Sequence, residues 1–337
     1  MAKTAPIIQV TNLSKHFRVQ KYHRGFLSTL RNLTTREYHL VKAVDEISFH
    51  VNPGELVGYL GPNGAGKSTT IKMLTGLLVP TEGEVIVNGF TPWKDRQRYV
   101  AGIGAVFGQR TTLWWDLPVI ESLELLQYIY RVPQGRFQHN LAEYRRMLDL
   151  DVFLDKPVRT LSLGQRMRAD LCAALLHEPA LLFLDEPTIG LDVVAKERIR
   201  QFILHINKER GTTIVLTTHD LSDVEKLCER VMIIDHGKLL FDGLLDDLRE
   251  RFGGKRKLVV DFSEEYVDFQ VNGAEIESRE GSRVTYLFKR GEVTASDLIG
   301  RISARFRIQD LQVQEPEIET TIRRIYEENL LEREQGG

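Results

Sequence analysis

The alternation of hydrophobic and polar residues predicts strands and helices that follow one another along the chain. Short runs rich in β-branched and aromatic residues, bounded by Asn, Pro and Gly, predict strands, beginning with residues 6–19 and 44–60. Apolar runs return at 180–186 and 213–219, with a helical pattern over 193–211 between them. This strand–helix–strand order with wholly apolar strands predicts a parallel sheet that is covered on both faces.

Helical periodicity dominates residues 113–176, and the composition changes again near residues 251–257, where a Gly-Gly pair is flanked by charges. We interpret this charged segment as a linker. After it, shorter strand and helix patterns predict a small α+β domain over residues 255–337. The chain is therefore predicted to hold one large domain over residues 1–250, with a helical subdomain at about 110–176, followed by the small domain.

Composition mainly excludes classes of function. With 337 residues, of which 42% are hydrophobic and 27% charged, the chain can bury a large core. The net charge of −2 gives no general attraction to nucleic acid or to an anionic membrane. Cys172 and Cys228 lie among apolar residues and form neither a disulfide framework nor a metal motif, which suits a reducing cytoplasm. We expect no signal peptide, because residues 1–10 lack an apolar core of the required length. We also expect no membrane-spanning helix, because no apolar run approaches about 20 residues.

A glycine-rich loop lies between a predicted strand and a predicted helix and fits the pattern Gly-x-x-x-x-Gly-Lys-Ser. Its glycines allow backbone N–H groups to turn inward around phosphate oxygens. Lys67 is placed to reach the β- and γ-phosphates, and Ser68 to offer its hydroxyl to Mg²⁺. The alternative, a glycine-rich turn with a chance lysine, does not explain the flanking strand and helix. The residues predicted to hold ATP are Gly61, Pro62, Asn63, Gly64, Ala65, Gly66, Lys67, Ser68 and Thr69.

Two acidic residues end the apolar strand that begins at Leu181. Asp185 at the strand tip is placed to hold Mg²⁺, directly or through water. Glu186 points elsewhere and can accept a proton from the attacking water or align it. The alternative is an acidic pair favoured by the dipole of the next helix. We favour the catalytic interpretation, because acids at the end of an apolar strand beside a phosphate loop are placed to hold Mg²⁺ and to act on the attacking water.

Two further side chains are candidates because each follows an apolar stretch. His219 ends a strand, and a lone histidine is more often structural. At the C-terminal edge of a nucleotide-binding sheet, however, it can donate to the γ-phosphate or to the water. The amide of Gln109 could ligate Mg²⁺ or the water, although taken singly this residue is weak evidence.

These segments, in this order, resemble the nucleotide-binding subunit of an ABC transporter, most closely single-cassette export ATPases of the daunorubicin-resistance and viologen-exporter kind. The resemblance covers about residues 5–245. It implies an α/β P-loop NTPase cassette, with a mostly parallel core sheet, an antiparallel β part and a helical subdomain, followed by the small α+β domain. The motifs that carry it are the Walker A loop at 61–69, Gln109 of the Q-loop, the signature LSLGQ at 161–165, the Walker B strand at 181–186, the D-loop at 190–192 and His219 of the H-loop.

The resemblance gives the Leu-Ser-Leu-Gly-Gln segment a role. In the family, two cassettes sandwich two ATP molecules head to tail, and each signature faces the ATP held by the partner. Ser162 and the N–H of Gly164 would bind the γ-phosphate, aided by the helix that begins near Gln165, and Asp192 of the D-loop would join the nucleotide site. The alternative is a capping box that satisfies the helix's own N–H groups, and both can hold in turn. Leu163 stands where glycine is commonest in the family.

Residues 18–40 are interpreted as an insertion between the first two strands. Phe17 precedes it and Tyr38 keeps the spacing to the second strand, so either ring could stack on adenine, with Phe17 favoured. The insertion is basic with an apolar helical stripe, which indicates a membrane-facing segment or, by preference, a solvated face packed on its own domain. Trp114 and Trp115 are candidates for contact with a membrane partner, or for the core.

The leading hypothesis is an ATP-hydrolysing subunit of a membrane export system, which dimerises around two ATP molecules with Mg²⁺ and drives separately encoded permease subunits. Such a chain would be cytoplasmic and peripheral on the inner face of the cell membrane. The alternative is a soluble ABC ATPase acting on the ribosome or nucleic acid. It is disfavoured by the single uninterrupted cassette and the lack of a basic surplus, so no nucleic-acid partner is expected. A non-hydrolysing regulator is disfavoured because Glu186 and His219 are both present.

Overall fold

Two units, residues 1–242 and 243–337, make up the computed structural model, which describes residues 5–20, 38–108, 110–266, 268–289, 291–316 and 318–328. The sequence predicted a boundary near residue 250. In the structure the helix Leu245–Phe252 groups with the second unit, whose last described helix it contacts.

The first unit contains nine strands, the last of which runs across the boundary, and seven α-helices within the described residues. The strands are β1 (Ile8–Gln20), β2 (Tyr38–Val51), β3 (Leu56–Leu60), β4 (Glu82–Val87), β5 (Ile103–Phe107), β6 (Leu181–Asp185), β7 (Thr213–Thr217), β8 (Arg230–Asp235) and β9 (Lys238–Leu244). The helices are α1 (Lys67–Leu74), α2 (Arg96–Val100), α3 (Val119–Tyr130), α4 (Gln134–Leu148), α5 (Leu163–Leu175), α6 (Val193–Arg210) and α7 (Leu221–Leu227).

The main sheet has the strand order β5-β6-β7-β3-β8-β9, and its first five strands are parallel. Every residue of β3 and β7 is buried, as expected for strands covered on both faces. Because the strands are parallel, the residues that follow β3, β6 and β7 meet at one edge of the sheet. The predicted α/β fold with a mostly parallel sheet is confirmed.

A second, antiparallel sheet has the order β2-β1-β4. Its first two strands extend further than the sequence indicated, because Arg18 pairs with Leu40 and Gln20 with Tyr38. The ends of the predicted insertion at 18–40 are therefore strand. Just outside them, Phe17 and its partner Val41 share one face of an exposed ribbon. Apart from Arg18, the basic residues predicted inside the insertion, and its apolar stripe, lie at 21–37, outside the described residues.

The helical subdomain predicted at 110–176 contains α3, α4 and α5. Helix α4 buries Phe137, Tyr144 and Leu148, and the Tyr144 ring packs edge-on against Phe202 of α6 at a centroid distance of 5.4 Å. Helix α5 buries Met167 and Leu171, among others. These contacts fix the start of α5, and with it the signature segment, to the first unit.

The second unit is a small α+β domain, as predicted. Its elements are α8 (Leu245–Phe252), β10 (Arg256–Phe262), β11 (Glu275–Glu280), β12 (Arg283–Phe288), α9 (Ala295–Ser303), β13 (Ile308–Gln314) and α10 (Ile318–Glu328). The antiparallel sheet has the order β11-β12-β10-β13. One face of that sheet forms a core with Phe262, Tyr286 and Leu298. None of the helices in the described part of the chain has the length and apolar composition needed to cross a bilayer.

Candidate nucleotide-binding site

The glycine-rich loop joins β3 to α1, and its conformation requires glycine at two positions. Gly66 has a φ of 111°, and a Cβ there would lie 2.4 Å from the Ala43 carbonyl oxygen. A Cβ on Gly61 would lie 2.3 Å from the Ile234 carbonyl oxygen. Backbone from β2 and β8 therefore encloses the loop on two sides, which holds it in one shape and leaves its N–H groups to line the anion site.

The lysine of the loop is buried, with only 6% of its surface exposed. The Lys67 ammonium donates to the carbonyls of Gly61 at 2.6 Å and Pro62 at 3.0 Å. Burial lowers the pKa of Lys67, and the nearby carboxylates of Glu186 and Asp185 oppose that shift. The cation therefore lies folded over its own loop, beside the two acids at the end of β6.

The carboxylate of Asp185 lies next to the loop hydroxyl. Its Oδ1 accepts hydrogen bonds from Ser68 Oγ at 3.5 Å and from Thr217 Oγ1. A hydroxyl beside a carboxylate is an oxygen-rich pair of the kind that Mg²⁺ prefers, so these residues fit that ion. The sequence analysis missed Thr217. Its signal is the parallel register, which pairs the last residue of β6 with the last residue of β7.

Glu186 lies just past the strand end in a left-handed conformation, with a φ of 54°. Its N–H donates to the Thr217 carbonyl at 2.9 Å, which anchors this backbone turn to β7. The side chain then points to His219, and Glu186 Oε1 lies 3.2 Å from His219 Nδ1. The histidine side chain is 54% exposed, so the pair faces solvent at the same edge of the sheet as the loop.

Gln109, predicted as a Mg²⁺ ligand, lies outside the described residues. The residues on either side of it are fixed: Gly108 N–H donates to the Asp185 carbonyl at 2.9 Å, and Arg110 N–H to the Phe107 carbonyl at 2.9 Å. The loop that carries Gln109 therefore begins beside the Asp185 backbone.

The signature segment forms a separate cluster and caps its own helix. Ser162 Oγ accepts from Gln165 N–H at 3.2 Å, and Gln165 Oε1 accepts from Ser162 N–H at 3.0 Å. This is the reciprocal capping box that the sequence analysis gave as the alternative. Asp192 also caps a helix, since its Oδ1 accepts from Ala195 N–H at 2.9 Å. Ser162 is exposed, so its hydroxyl remains open to an approaching surface.

Phe17 and Tyr38 both project from the ribbon of β1 and β2, with 38% and 54% of their surfaces exposed. The Lys15 ammonium lies 5.4 Å from the centre of the Phe17 ring. Trp114 and Trp115, 39% and 50% exposed, lie in the loop before α3 and are not core residues.

A buried network behind the catalytic strand was not predicted. Asp223 is fully buried and accepts from Arg200 Nε at 2.6 Å and from the hydroxyl of Thr188, two residues after Glu186. It fixes the turn after Glu186 to α6 and α7. The sequence carries no short-range signal for it, because the partners lie 23 and 35 residues apart.

A P-loop cassette that hydrolyses nucleotide is the class of protein that this fold and site define. The ABC transporter family profile matches residues 44–189. The chain is 32% identical over 211 residues to the ABC transporter ATP-binding protein NatA of Bacillus subtilis (strain 168), a match that covers 63% of this chain and 85% of NatA. It is 35% identical over 225 residues to the daunorubicin resistance ATP-binding protein DrrA3 of Streptomyces coeruleorubidus, covering 67% of this chain and 71% of DrrA3.

Among solved structures, the dimeric post-hydrolysis state of the ATP-binding cassette MJ0796, bound to ADP and Pi, matches with a TM-score of 0.59 and 28% identity. That match covers 71% of this chain and 98% of the cassette. The chain therefore belongs to the ABC transporter ATP-binding proteins and is an ATP hydrolase. The resemblance to the daunorubicin-resistance type inferred from the motifs is confirmed.

Proposed function

We propose that this chain is the ATPase subunit of a membrane export system, acting as a dimer whose two copies close around two ATP molecules. The observation that carries the proposal is the division of the site into two parts. The loop, Asp185, Glu186 and His219 form one cluster, whereas the signature forms another that is exposed and satisfied by its own cap. A surface of that kind is suited to a ligand that arrives on a second copy.

Within one copy, the loop N–H groups and Lys67 would bind the β- and γ-phosphates. Ser68, Asp185 and Gln109 would hold Mg²⁺, which when bound neutralises charge on those phosphates. Glu186 is positioned to align the attacking water or accept its proton, and His219, at 3.2 Å from that carboxylate, to donate to the γ-phosphate. Burial of Lys67 strengthens its interaction with a phosphate once its two backbone acceptors are released.

The second copy would complete each site with its signature. Ser162 Oγ and the N–H of Gly164 would contact the γ-phosphate, with Gln165 at the start of the helix and Asp192 of the D-loop beside them. The capping box uses only the Gln165 N–H among the first helical donors, so the Gly164 N–H keeps no intrahelical partner. A helix N-terminus with such a donor favours an anion. We further propose that Phe17 stacks on adenine, with Tyr38 as the alternative.

Permease subunits, encoded separately, are the proposed partners, and they would hold the chain on the inner face of the cell membrane. The exposed Trp114 and Trp115 support this, because exposed aromatic residues are typical interface anchors. The name of DrrA3 as a resistance protein supports export as the direction. Residues 1–250 would form the cassette, and 255–337 an accessory domain. Action on the ribosome or nucleic acid is not favoured, since the net charge is −2.

Glu186→Gln tests the proposal. Hydrolysis should be abolished while ATP still binds, so a dimer should accumulate with Mg-ATP, because a ligand held only in the closed state shifts the equilibrium toward it. Size-exclusion chromatography with and without Mg-ATP measures this. The control is Glu186→Gln combined with Lys67→Ala, which should stay monomeric because it lacks the phosphate ligand. A single variant that stays monomeric and hydrolyses ATP near the wild-type rate would remove Glu186 from the mechanism.

A further inference from the structure

The helix that carries the signature also carries a buried carboxylate with no place in the mechanism above. Asp170 lies on α5, with 5% of its surface exposed. Its Oδ1 accepts from Thr111 Oγ1 at 2.8 Å, from Thr112 N–H at 3.0 Å and from Thr112 Oγ1 at 3.3 Å. Burying a carboxylate is unfavourable unless hydrogen bonds compensate for the lost hydration, and here all three donors come from one short loop.

That loop runs between two parts of the proposed machinery. Gly108, at its start, donates its N–H to the backbone of Asp185, and the two threonines follow within four residues. Thr111 Oγ1 also accepts from Leu113 N–H at 3.1 Å, which tightens the turn. The chain then reaches Trp114, whose N–H donates to Ser122 Oγ of α3 at 3.2 Å. The loop thus connects the metal-binding end of β6 to the exposed tryptophans.

Asp170 is the point at which this loop is hydrogen-bonded to α5. It lies eight residues after Ser162, about two helical turns or roughly 12 Å along the axis. A helix is stiff over that distance, so a shift of the loop at Thr111 and Thr112 is carried to the signature end. Burial raises the pKa of Asp170 to about 6, so the carboxylate is largely ionised at neutral pH and is then a strong acceptor.

We propose that Asp170 is a positioning residue for ATP hydrolysis, which fixes the signature helix to Thr111 and Thr112 of the loop before α3 so that the two move together. This rests on the proposed function, in which Ser162 and Gly164 meet an ATP held by a second copy. Asp170 touches neither nucleotide nor metal and acts only through the placement of α5. Its loss should impair closure of the dimer far more than binding of ATP to a single copy.

The test compares Asp170→Leu, which keeps the size but loses the acceptor, with Asp170→Asn, which keeps an acceptor at the Oδ1 position. In the full chain, Asp170→Leu should lower kcat by about tenfold or more. The affinity of the monomer for ATP should stay within about twofold of the wild type, because a misplaced group slows the reaction without weakening ground-state binding. Asp170→Asn should recover most of the rate. Gln127→Ala is the matched control, since Gln127 is buried and in the same subdomain but donates to the Val132 carbonyl and to Gln134 at the start of α4, away from Thr111 and Thr112.

The decisive measurement uses the Glu186→Gln background, with the Mg-ATP concentration at half-dimerisation as the readout. Adding Asp170→Leu should raise that concentration by about tenfold, whereas adding Gln127→Ala should not. If Glu186→Gln alone never dimerises, the proposed function fails. If it dimerises and Asp170→Leu changes nothing, or if Asp170→Asn falls as far as Asp170→Leu, the inference alone is overturned. Should Asp170→Leu fail to fold, Thr111→Val with Thr112→Val removes two of the donors and must give the same result.

Discussion

The phosphate loop and the signature segment both lie at a helix N-terminus, but they are built in opposite ways. The loop is enclosed by backbone from β2 and β8, and Lys67 is 6% exposed. In the signature, Ser162 is exposed, and its capping hydrogen bonds are made with Gln165 of the same segment. The loop therefore depends on tertiary packing, whereas the signature is locally self-sufficient. Because the capping hydrogen bonds are made within the signature itself, the exposed Ser162 hydroxyl is left at the surface, where a second copy could meet it.

The largest effect should come from combining a defect in each region. Lys67→Ala removes the phosphate cation, and Ser162→Arg puts a bulky charge where the signature should meet the γ-phosphate. Each protein alone should form only defective sites. In a mixed dimer, both defects fall in one site, because the loop of one copy meets the signature of the other. The second site is then intact, so mixing two inactive proteins should restore vanadate-trapped nucleotide at up to one per mixed dimer.

Trapping is the appropriate readout for this mixture, because a dimer that needs two working sites could trap once and still not cycle. Mixed dimers are verified with two different affinity tags, and each protein mixed with itself is the control. If the signature served only its own chain, every site would keep a lesion. No trapped nucleotide in verified mixed dimers would therefore contradict the shared site.

An intermediate effect should separate the glycines of the two regions. Gly66→Ala places a methyl group 2.4 Å from the Ala43 oxygen at a φ of 111°, so the first unit should lose on the order of 3 kcal/mol of stability or more. Gly164→Ala meets Leu191 at 3.5 Å, an ordinary contact, and alanine favours a helix by up to about 1 kcal/mol. Thermal unfolding measured by circular dichroism should therefore show a lower midpoint for Gly66→Ala and an equal or higher one for Gly164→Ala.

Gly164→Ala should still reduce ATP turnover, because its methyl group lies beside the N–H that is proposed to reach the γ-phosphate. Gly66→Ala should thus lower both the stability of the first unit and ATP turnover. Gly164→Ala should lower turnover while stability stays equal or rises. If Gly164→Ala kept the full rate, the N–H at that position would not be a phosphate ligand.

The same contrast explains what the sequence could predict. The loop with Lys67 and Ser68, and the Ser-x-x-Gln box, are short patterns whose spacing alone defines their geometry. The contacts of Thr217 with Asp185, and of Asp170 with Thr111, depend on strand order and helix register, which no local pattern encodes. Residues 18 and 40, which pair as strand, were interpreted as part of an insertion. A solvent-exposed ribbon has no buried face, so its sequence lacks a clear alternation of apolar and polar residues.

The smallest expected change in stability, at Ser162, gives the finest test of the contrast. Ser162→Ala removes the side-chain acceptor for the Gln165 N–H and should cost about 1 kcal/mol, because capping hydroxyls contribute that much to a helix. Ser162→Asp keeps an acceptor and adds a favourable charge at the helix N-terminus, so local stability should be preserved. Hydrogen exchange of the α5 amides measures both without nucleotide.

In ATP-dependent dimerisation, measured in the Glu186→Gln background, the two variants should rank in the reverse order. The carboxylate of Ser162→Asp would face the γ-phosphate and repel it, whereas Ser162→Ala leaves the Gly164 N–H in place. Ser162→Ala should therefore be the less stable helix and the better dimer. If both measurements rank the variants alike, Ser162 acts only as a cap and its hydroxyl does not contact the nucleotide of a second copy.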